Sequence, residues 1–102
     1  MSCSEEENID RCKSIAEELE EADIYSYFSE NEIYNIEYRV DEKKEYKSVE
    51  IMIACGGPNI YIDTDRKKVF LYWWSDEAEY GLSDEVCNSI NSYFEDLYNS
   101  IE

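Results

Sequence analysis

The sequence predicts an α+β fold in the order α-β-β-β-β-α, with a four-stranded antiparallel meander and helices packed on the sheet. Apolar residues recur at helical spacing over residues 4–22 and 84–100, and they alternate with a period of two between residues 33 and 74. The turns between the alternating segments are short, which favours antiparallel neighbours. A length of 102 residues suits one domain with a modest core, so we expect residues 1–102 to form a single acidic domain.

The first helix is predicted over residues 4–22. Ser4 followed by Glu7 forms a capping-box pattern at its start. Glu17 and Glu21 are like charges one turn apart, and acids at a helix C-terminus oppose the helix dipole. A helix selected only for stability would not keep this pattern, so we expect its acidic surface to be used. The apolar stripe that faces the core is predicted to be Ile9, Cys12, Ala16 and Leu19.

Residues 23–31 are ambiguous, and we expect the helix to fade into a loop there. The period of two then predicts four strands, at residues 33–40, 46–55, 59–63 and 68–74. Gly56 and Gly57 can adopt positive φ and Pro58 cannot donate a ladder hydrogen bond, so these residues are predicted to turn the chain between strands two and three. The last two strands carry apolar side chains on both faces. One face can be core, but the other needs a cover or a partner.

Residues 75–82 are predicted to be an acidic loop leading into the final helix. That helix is predicted over residues 84–100, because Ser83 is a good N-cap and Asp84 and Glu85 lie favourably in the first turn.

The four cysteines are predicted to be reduced and structural. Cys3, Cys12, Cys55 and Cys87 include no C-x-x-C pair, and the chain contains no histidine, which argues against a zinc site. Cys12, Cys55 and Cys87 fall on the predicted apolar faces, where cysteine behaves as a small hydrophobic residue.

Charge is the outlying property of the composition. The chain has 26 acidic and 9 basic residues, for a net charge of -17. Such a surface is repelled by phosphate backbones and anionic lipid, so we expect neither direct nucleic-acid binding nor membrane binding, and a basic protein surface is the natural partner. The alternative is a merely soluble acidic protein, or one adapted to high salt. The chain has no pattern of a signal peptide or membrane span, so we expect a cytoplasmic protein.

The sequence favours binding over catalysis, and we expect no enzyme activity, no cofactor and no metal. Carboxylate pairs are uninformative among so many acids, and no serine or cysteine lies in a nucleophile motif. Asp63 with Asp65, or the acids of 76–79, lack the loop pattern of a calcium site. Gly56–Asn59 favours a hairpin turn over a ligand loop. Tyr72–Trp74 could stack bases, but acids follow at once.

The segment GGPNIYIDT…VFLYWW…EVCNSINSYFEDLY resembles small acidic proteins carried by phages and mobile elements of gut Firmicutes. The resemblance covers roughly the C-terminal half, with its most specific parts at Gly56–Asn59 and Trp73–Trp74. In charge and size the whole chain is also similar to the DNA-mimic anti-CRISPR and anti-restriction proteins. This second likeness is physical and transfers no functional residue. It implies a protein that acts in the bacterial host cytoplasm.

Two binding functions follow as hypotheses. The first is a mobile-element inhibitor of a host defence nuclease complex, which would occupy the nucleic-acid cleft of a basic partner such as a CRISPR effector or a restriction enzyme. The alternative is an immunity protein or antitoxin that neutralises a cationic toxin. The partner-binding residues predicted for the first hypothesis are Glu17, Glu18, Glu20, Glu21, Asp76, Glu77, Glu79 and Trp74.

Overall fold

The computed structural model of the protein describes residues 2–74 and 76–100, with the side chains of the first helix described from Glu7 onward. These residues form an α+β fold of three helices and one antiparallel five-stranded sheet whose strands follow each other in chain order. The elements are α1 (Ser2–Glu21), α2 (Ile24–Glu30), β1 (Asn35–Val40), β2 (Tyr46–Ala54), β3 (Asn59–Asp63), β4 (Lys68–Trp73), β5 (Asp76–Gly81) and α3 (Asp84–Asn99).

The antiparallel meander is confirmed, but the prediction of four strands missed β5. This segment was predicted to be a loop because acids and alanine are depleted in strands. In the structure β5 is an edge strand that pairs with β4, and charged side chains suit such an edge because they discourage pairing with another chain. Ala78 is buried at its centre, on the helix side of the sheet. The acids flanking Ala78 concealed the period-two pattern.

The ambiguous segment forms a separate short helix, α2, and not a fading end of α1. The two helices are separated at Asp23, whose backbone is extended (φ -70°, ψ 126°). The helical spacing of Ile24, Tyr27 and Phe28 buries all three side chains. The Phe28 ring stands edge-on to the ring of Phe94 on α3, with centroids 4.9 Å apart. Aromatic packing against α3 therefore holds a helix too short to be stable alone.

The predicted capping box at Ser4 is wrong, because α1 begins at Ser2 and Ser4 lies inside the helix. The predicted N-cap of α3 is correct. The Ser83 hydroxyl accepts a hydrogen bond from the Val86 amide at 3.2 Å. The other predicted boundaries agree to within two residues, apart from those of β5 and α2.

One face of the sheet carries the core, and the helices cover that face. α1 lies along β4 and β5, while α3 packs over β2 and against α2. The Tyr46 hydroxyl on β2 donates to Asn91 on α3 at 2.6 Å, and the Tyr98 hydroxyl near the end of α3 donates to the Lys44 carbonyl at 2.6 Å. The most deeply buried apolar side chains are Cys12, Leu19, Val49, Ile51, Ile60, Ile62, Val69, Leu71, Cys87, Ile90 and Phe94. Helices thus cover a single side of the sheet in the described residues.

Two of the three predicted core cysteines are buried, and the third is not. The thiols of Cys12, Cys55 and Cys87 are free. Burial raises the pKa of Cys12 to about 11 and also raises the pKa of Cys87, so both are inert small hydrophobic groups. Cys55 is exposed, because β2 ends at Ala54 after a register irregularity that breaks the alternation. The side chain of Cys3 lies outside the described residues.

Candidate protein-binding surfaces

The end of α1 presents a concentration of exposed carboxylates. Cys12, Ala16 and Leu19 are spaced by four and three residues, and their burial against the sheet fixes which side of the helix faces outward. The acids of the last turn therefore project into solvent, and no basic residue accompanies them in that turn. Four of these acids are predicted partner-binding residues, namely Glu17, Glu18, Glu20 and Glu21.

Two acids from other elements join this group. A cleft of about 550 Å³ lies where the end of α1 meets the start of α2 and the first half of α3, and Glu20, Asp23 and Glu85 all line it. The acids of this cleft and the other exposed glutamates at the end of α1 together form what we call the acidic ridge, which consists of Glu17, Glu18, Glu20, Glu21, Asp23 and Glu85. All six are exposed, and none forms an ion pair with a basic side chain in the described part of the chain. The predicted partner-binding residues did not include Asp23, although it follows Glu21 by two positions, or Glu85, which only the packing of α3 brings to the cleft.

Trp74 lies at the opposite end of α1 from the acidic ridge. Its side chain is 93% exposed, and its φ of +58° places a bulky residue in the left-handed region at the tip between β4 and β5. It borders a cavity shared with Gly56 and Gly57, and a second one shared with Glu7 and Asp76. Glu20 follows Glu7 by thirteen positions of the helix, which corresponds to a rise of about 20 Å.

The remaining predicted site residues lie on another side of the sheet. Glu77 and Glu79 alternate with the inward-facing Ala78, so they point away from the helices. Glu79 also forms an ion pair with Lys68 at 2.9 Å. The eight predicted residues therefore occupy three places: the four glutamates of α1 on the acidic ridge, Trp74 with Asp76 at the other end of α1, and Glu77 with Glu79 on the helix-free face.

The helix-free face of the sheet has an aromatic centre. Met52, Tyr61 and Phe70 are cross-strand neighbours on adjacent strands, and Tyr72 lies beside them on β4. The ring centroids of Tyr61 and Tyr72 are 5.9 Å apart, and those of Phe70 and Tyr72 are 6.3 Å apart. We call this surface the open sheet face, defined by Asn35, Glu37, Glu50, Met52, Asn59, Tyr61, Phe70, Tyr72, Glu77 and Glu79. It is the second apolar face that the alternation in β3 and β4 predicted.

A buried ion pair anchors one end of the open sheet face. Asp63 is 1% exposed and receives two hydrogen bonds from the Arg39 guanidinium, at 2.8 and 3.0 Å. The backbone amides of Asp65 and Arg66 donate to the same carboxylate. Burial alone would raise the pKa of Asp63, but the guanidinium and the two amides outweigh it and lower the pKa. This geometry assigns Asp63 to the structure of the sheet and not to a solvated turn.

In residues 2–74 and 76–100, no group of three or more cysteine, aspartate or glutamate side chains is arranged to hold a metal ion. The helices in these ranges also lack the length and apolar character needed to cross a membrane. Comparisons with protein-family models, with curated proteins and with solved structures gave no match for this chain. The candidate surfaces therefore have to be interpreted from their own chemistry.

Proposed function

We propose that this protein is a mobile-element inhibitor of a bacterial defence nuclease complex, such as a CRISPR effector or a restriction enzyme. In this proposal the acidic ridge enters a basic nucleic-acid-binding cleft and acts as a DNA mimic in the host cytoplasm. The observation that carries the proposal is the ridge itself, in which Glu20, Asp23 and Glu85 meet at one cleft beside three further exposed glutamates of α1, and no basic side chain of the described residues pairs with them. The function is one of binding and not of catalysis.

The spacing of the ridge carboxylates suits a phosphate-binding surface. Glu17 and Glu21 are one helical turn apart, about 6 Å along the axis. Successive phosphates of one DNA strand are about 3.4 Å apart along the duplex axis, so this spacing is close to that of every second phosphate. Lysine and arginine side chains that line a nucleic-acid channel are long and flexible enough to meet carboxylates at such intervals.

The internal charge pairing leaves the ridge free to act on a partner. Lys67 pairs with Asp84 at 2.7 Å, Lys68 pairs with Glu79, and Arg39 is held by Asp63. None of these ion pairs includes a carboxylate of the ridge. A concentrated charge of this kind accelerates association with a basic cleft, and the affinity it supplies falls as salt rises.

Trp74 provides a candidate anchor at the far end of the same helix. Tryptophan is enriched among the residues that dominate binding energies, and the side chain of Trp74 is 93% exposed. A partner that contacts both Trp74 and the ridge would span about 20 Å along α1. This distance matches the scale of a nucleic-acid channel that holds several nucleotides.

The test is capture of a partner from a bacterial host lysate, followed by competition with nucleic acid. The protein is immobilised, the captured protein is identified and purified, and its own DNA or RNA substrate is added as competitor. We expect the substrate to displace the partner, and we expect the reversal of Glu17, Glu18, Glu20 and Glu21 to lysine to weaken binding at least tenfold.

A matched variant separates the ridge from net charge. Reversal of four exposed acids elsewhere changes the net charge equally and should change the affinity far less. Suitable positions are Glu30, Glu42, Glu95 and Asp96. Equal losses in the two variants would contradict a dedicated ridge. If the captured partner had no nucleic-acid-binding site, DNA mimicry would be contradicted. The immunity or antitoxin function would then become the proposal.

A further inference from the structure

The open sheet face is a second binding surface, separate from the acidic ridge. The helices pack on the other side of the sheet, and no element of residues 2–74 and 76–100 covers Met52, Tyr61, Phe70 and Tyr72. Three of these side chains are partly buried by one another, while Tyr72 is 36% exposed. An aromatic cluster at the centre of a sheet face, ringed by polar side chains, has the arrangement of a protein-interface core with its rim.

The charges around the aromatic cluster favour a cationic partner. Glu37, Glu50 and Glu77 surround it, and among them only Glu50 approaches a basic group, with its Oε1 4.0 Å from the Arg39 guanidinium. Three cations belong to this face. Arg39 is held by Asp63, Lys68 pairs with Glu79, and Arg66 lies over the ring of Phe70.

The protein itself demonstrates how such a ring is recognised. The Arg66 guanidinium lies over the Phe70 ring, with its Cζ 5.6 Å from the ring centroid. This is the geometry of a cation–π contact, which arginine makes more readily than lysine because its guanidinium is planar and weakly hydrated. In the described part of the chain, Tyr61 and Tyr72 have no cation over their rings, although acids stand beside both.

We propose that the open sheet face binds an arginine-bearing segment of a protein partner. Guanidinium groups stack on Tyr61 and Tyr72 and pair with the carboxylates of Glu37, Glu50 and Glu77. A second copy of this chain fits poorly, because it would bring the same acids together on molecules of net charge -17. Nucleic acid is excluded by the same repulsion. The inference does not depend on use of the acidic ridge, which lies on the other side of the sheet.

The probe is a nine-residue peptide of alternating arginine and glycine, compared with the same peptide carrying lysine or citrulline in place of arginine. Binding is followed by nuclear magnetic resonance of the labelled protein at about 0.15 M salt, where attraction between distant exposed charges is screened. We expect the ring resonances of Tyr61 and Tyr72 to shift, and the arginine peptide to bind about fivefold more tightly than the lysine peptide. The citrulline peptide should not bind.

Two tyrosines of equal exposure give the matched variants. Tyr72 is 36% exposed on the open sheet face, and Tyr80 is 37% exposed on β5 but faces the helix side opposite Val69. Valine keeps the strand propensity at both positions. Tyr72→Val should weaken the arginine peptide about fivefold, and Tyr80→Val should leave its affinity unchanged.

Three results would overturn the proposal. The arginine and lysine peptides could bind equally tightly and shift only resonances of the acidic ridge. Binding would then be general charge attraction and not recognition by the open sheet face. A dimer in sedimentation experiments that Tyr72→Val dissociates would make a second copy the occupant of this face. Binding of a short oligouridylate that Tyr72→Val abolishes would make nucleic acid the ligand.

Discussion

Asp63 is the clearest case of a single residue whose role the fold decides. Its carboxylate is buried at the end of β3, and the Arg39 guanidinium reaches it from β1, two strands away. Two backbone amides of the following turn complete its hydrogen bonding. A buried carboxylate with four good donors is stable as an ion, but it becomes costly when one partner is removed.

Asp63→Asn should lower the free energy of unfolding by about 2–4 kcal/mol at pH 7. The folded-state pKa of Asp63 lies below its ordinary value of 3.8, so the ionised group contributes stability above that pH and loses it as the pH falls through the folded pKa. The difference between wild type and variant should therefore shrink below about pH 4. Urea denaturation at pH 7, 5, 4 and 3 measures it.

The neighbouring Asp65 provides the control, because its side chain is mostly exposed and lies 4.0 Å from the same guanidinium. Asp65→Asn should change the stability by less than about 0.5 kcal/mol. The loss of unfolding free energy caused by Asp63→Asn could also stay constant down to pH 3. In that case hydrogen-bond geometry, and not the charge of Asp63, would be its source.

The structural role of Asp63 could not be predicted from the sequence. Asp63 and Asp65 flank a turn, and acids near turns are ordinarily solvated. The partner of Asp63 is 24 positions away, and the pairing depends on the register of three strands. The N-cap at Ser83 was predictable because its bond partner is only three residues away.

At the scale of elements, α1 docks on β4 and β5 through one narrow apolar stripe. Leu19 near the end of that stripe is 2% exposed, whereas Ile9 near its start is 44% exposed. The sequence assigned both residues to the core stripe, because each falls at helical spacing. Only the tertiary packing, which places Leu19 beside residues of α2 and α3, distinguishes them.

Leu19→Ala should lower the free energy of unfolding by about 2–4 kcal/mol, since it removes buried methyl groups and leaves a cavity in the core. Ile9→Ala should change it by less than about 0.5 kcal/mol, because an exposed side chain contributes little and alanine favours the helix. Urea denaturation followed by circular dichroism measures both. If both variants changed the free energy of unfolding by the same small amount, the burial of the C-terminal end of α1 in the core would be contradicted.

β5 illustrates why an element can escape prediction even when its neighbours are correct. Ala78 and Tyr80 share the helix side of the sheet, but the acids between and around them match a solvated loop equally well. Pairing with β4 decides the outcome, and this pairing is a tertiary property. The strand matters for function because its alternation puts Asp76 on one side of the sheet and Glu77 and Glu79 on the other, whereas the sequence predicted one acidic loop for all three.

At the scale of the whole molecule, the net charge of -17 on a chain with a radius of gyration of 13.9 Å opposes folding. The Debye length is about 30 Å at 0.01 M salt and about 10 Å at 0.1 M. Charges across the entire molecule therefore repel at low salt, whereas only near neighbours do so at physiological salt. The sequence predicted the negative charge, but not that Glu85 joins Glu20 and Asp23 at one cleft, because Glu85 reaches that cleft only through the packing of α3.

If the acidic ridge is maintained for binding, it should carry a stability cost beyond the general repulsion. Glu17→Gln with Glu21→Gln removes a like-charge pair one turn apart and two acids near the negative end of the helix dipole, while it keeps the helix propensity similar. We expect this pair of changes to raise the free energy of unfolding by about 0.5–1.5 kcal/mol at 0.01 M salt, and by less at 0.5 M. Urea denaturation at the two salt concentrations measures the gain.

Glu42→Gln with Glu95→Gln is the matched control. Both residues are exposed and away from the end of α1, and the net charge changes by the same amount. The control should gain less stability at low salt than the ridge variant, because it removes only one acid near a helix C-terminus and no like-charge pair one turn apart. Equal gains would mean that net charge alone sets the cost and that the ridge is not a locally unfavourable arrangement. A loss of stability in the ridge variant would mean that Glu17 and Glu21 support the fold, which would remove the argument that these acids are kept for a partner.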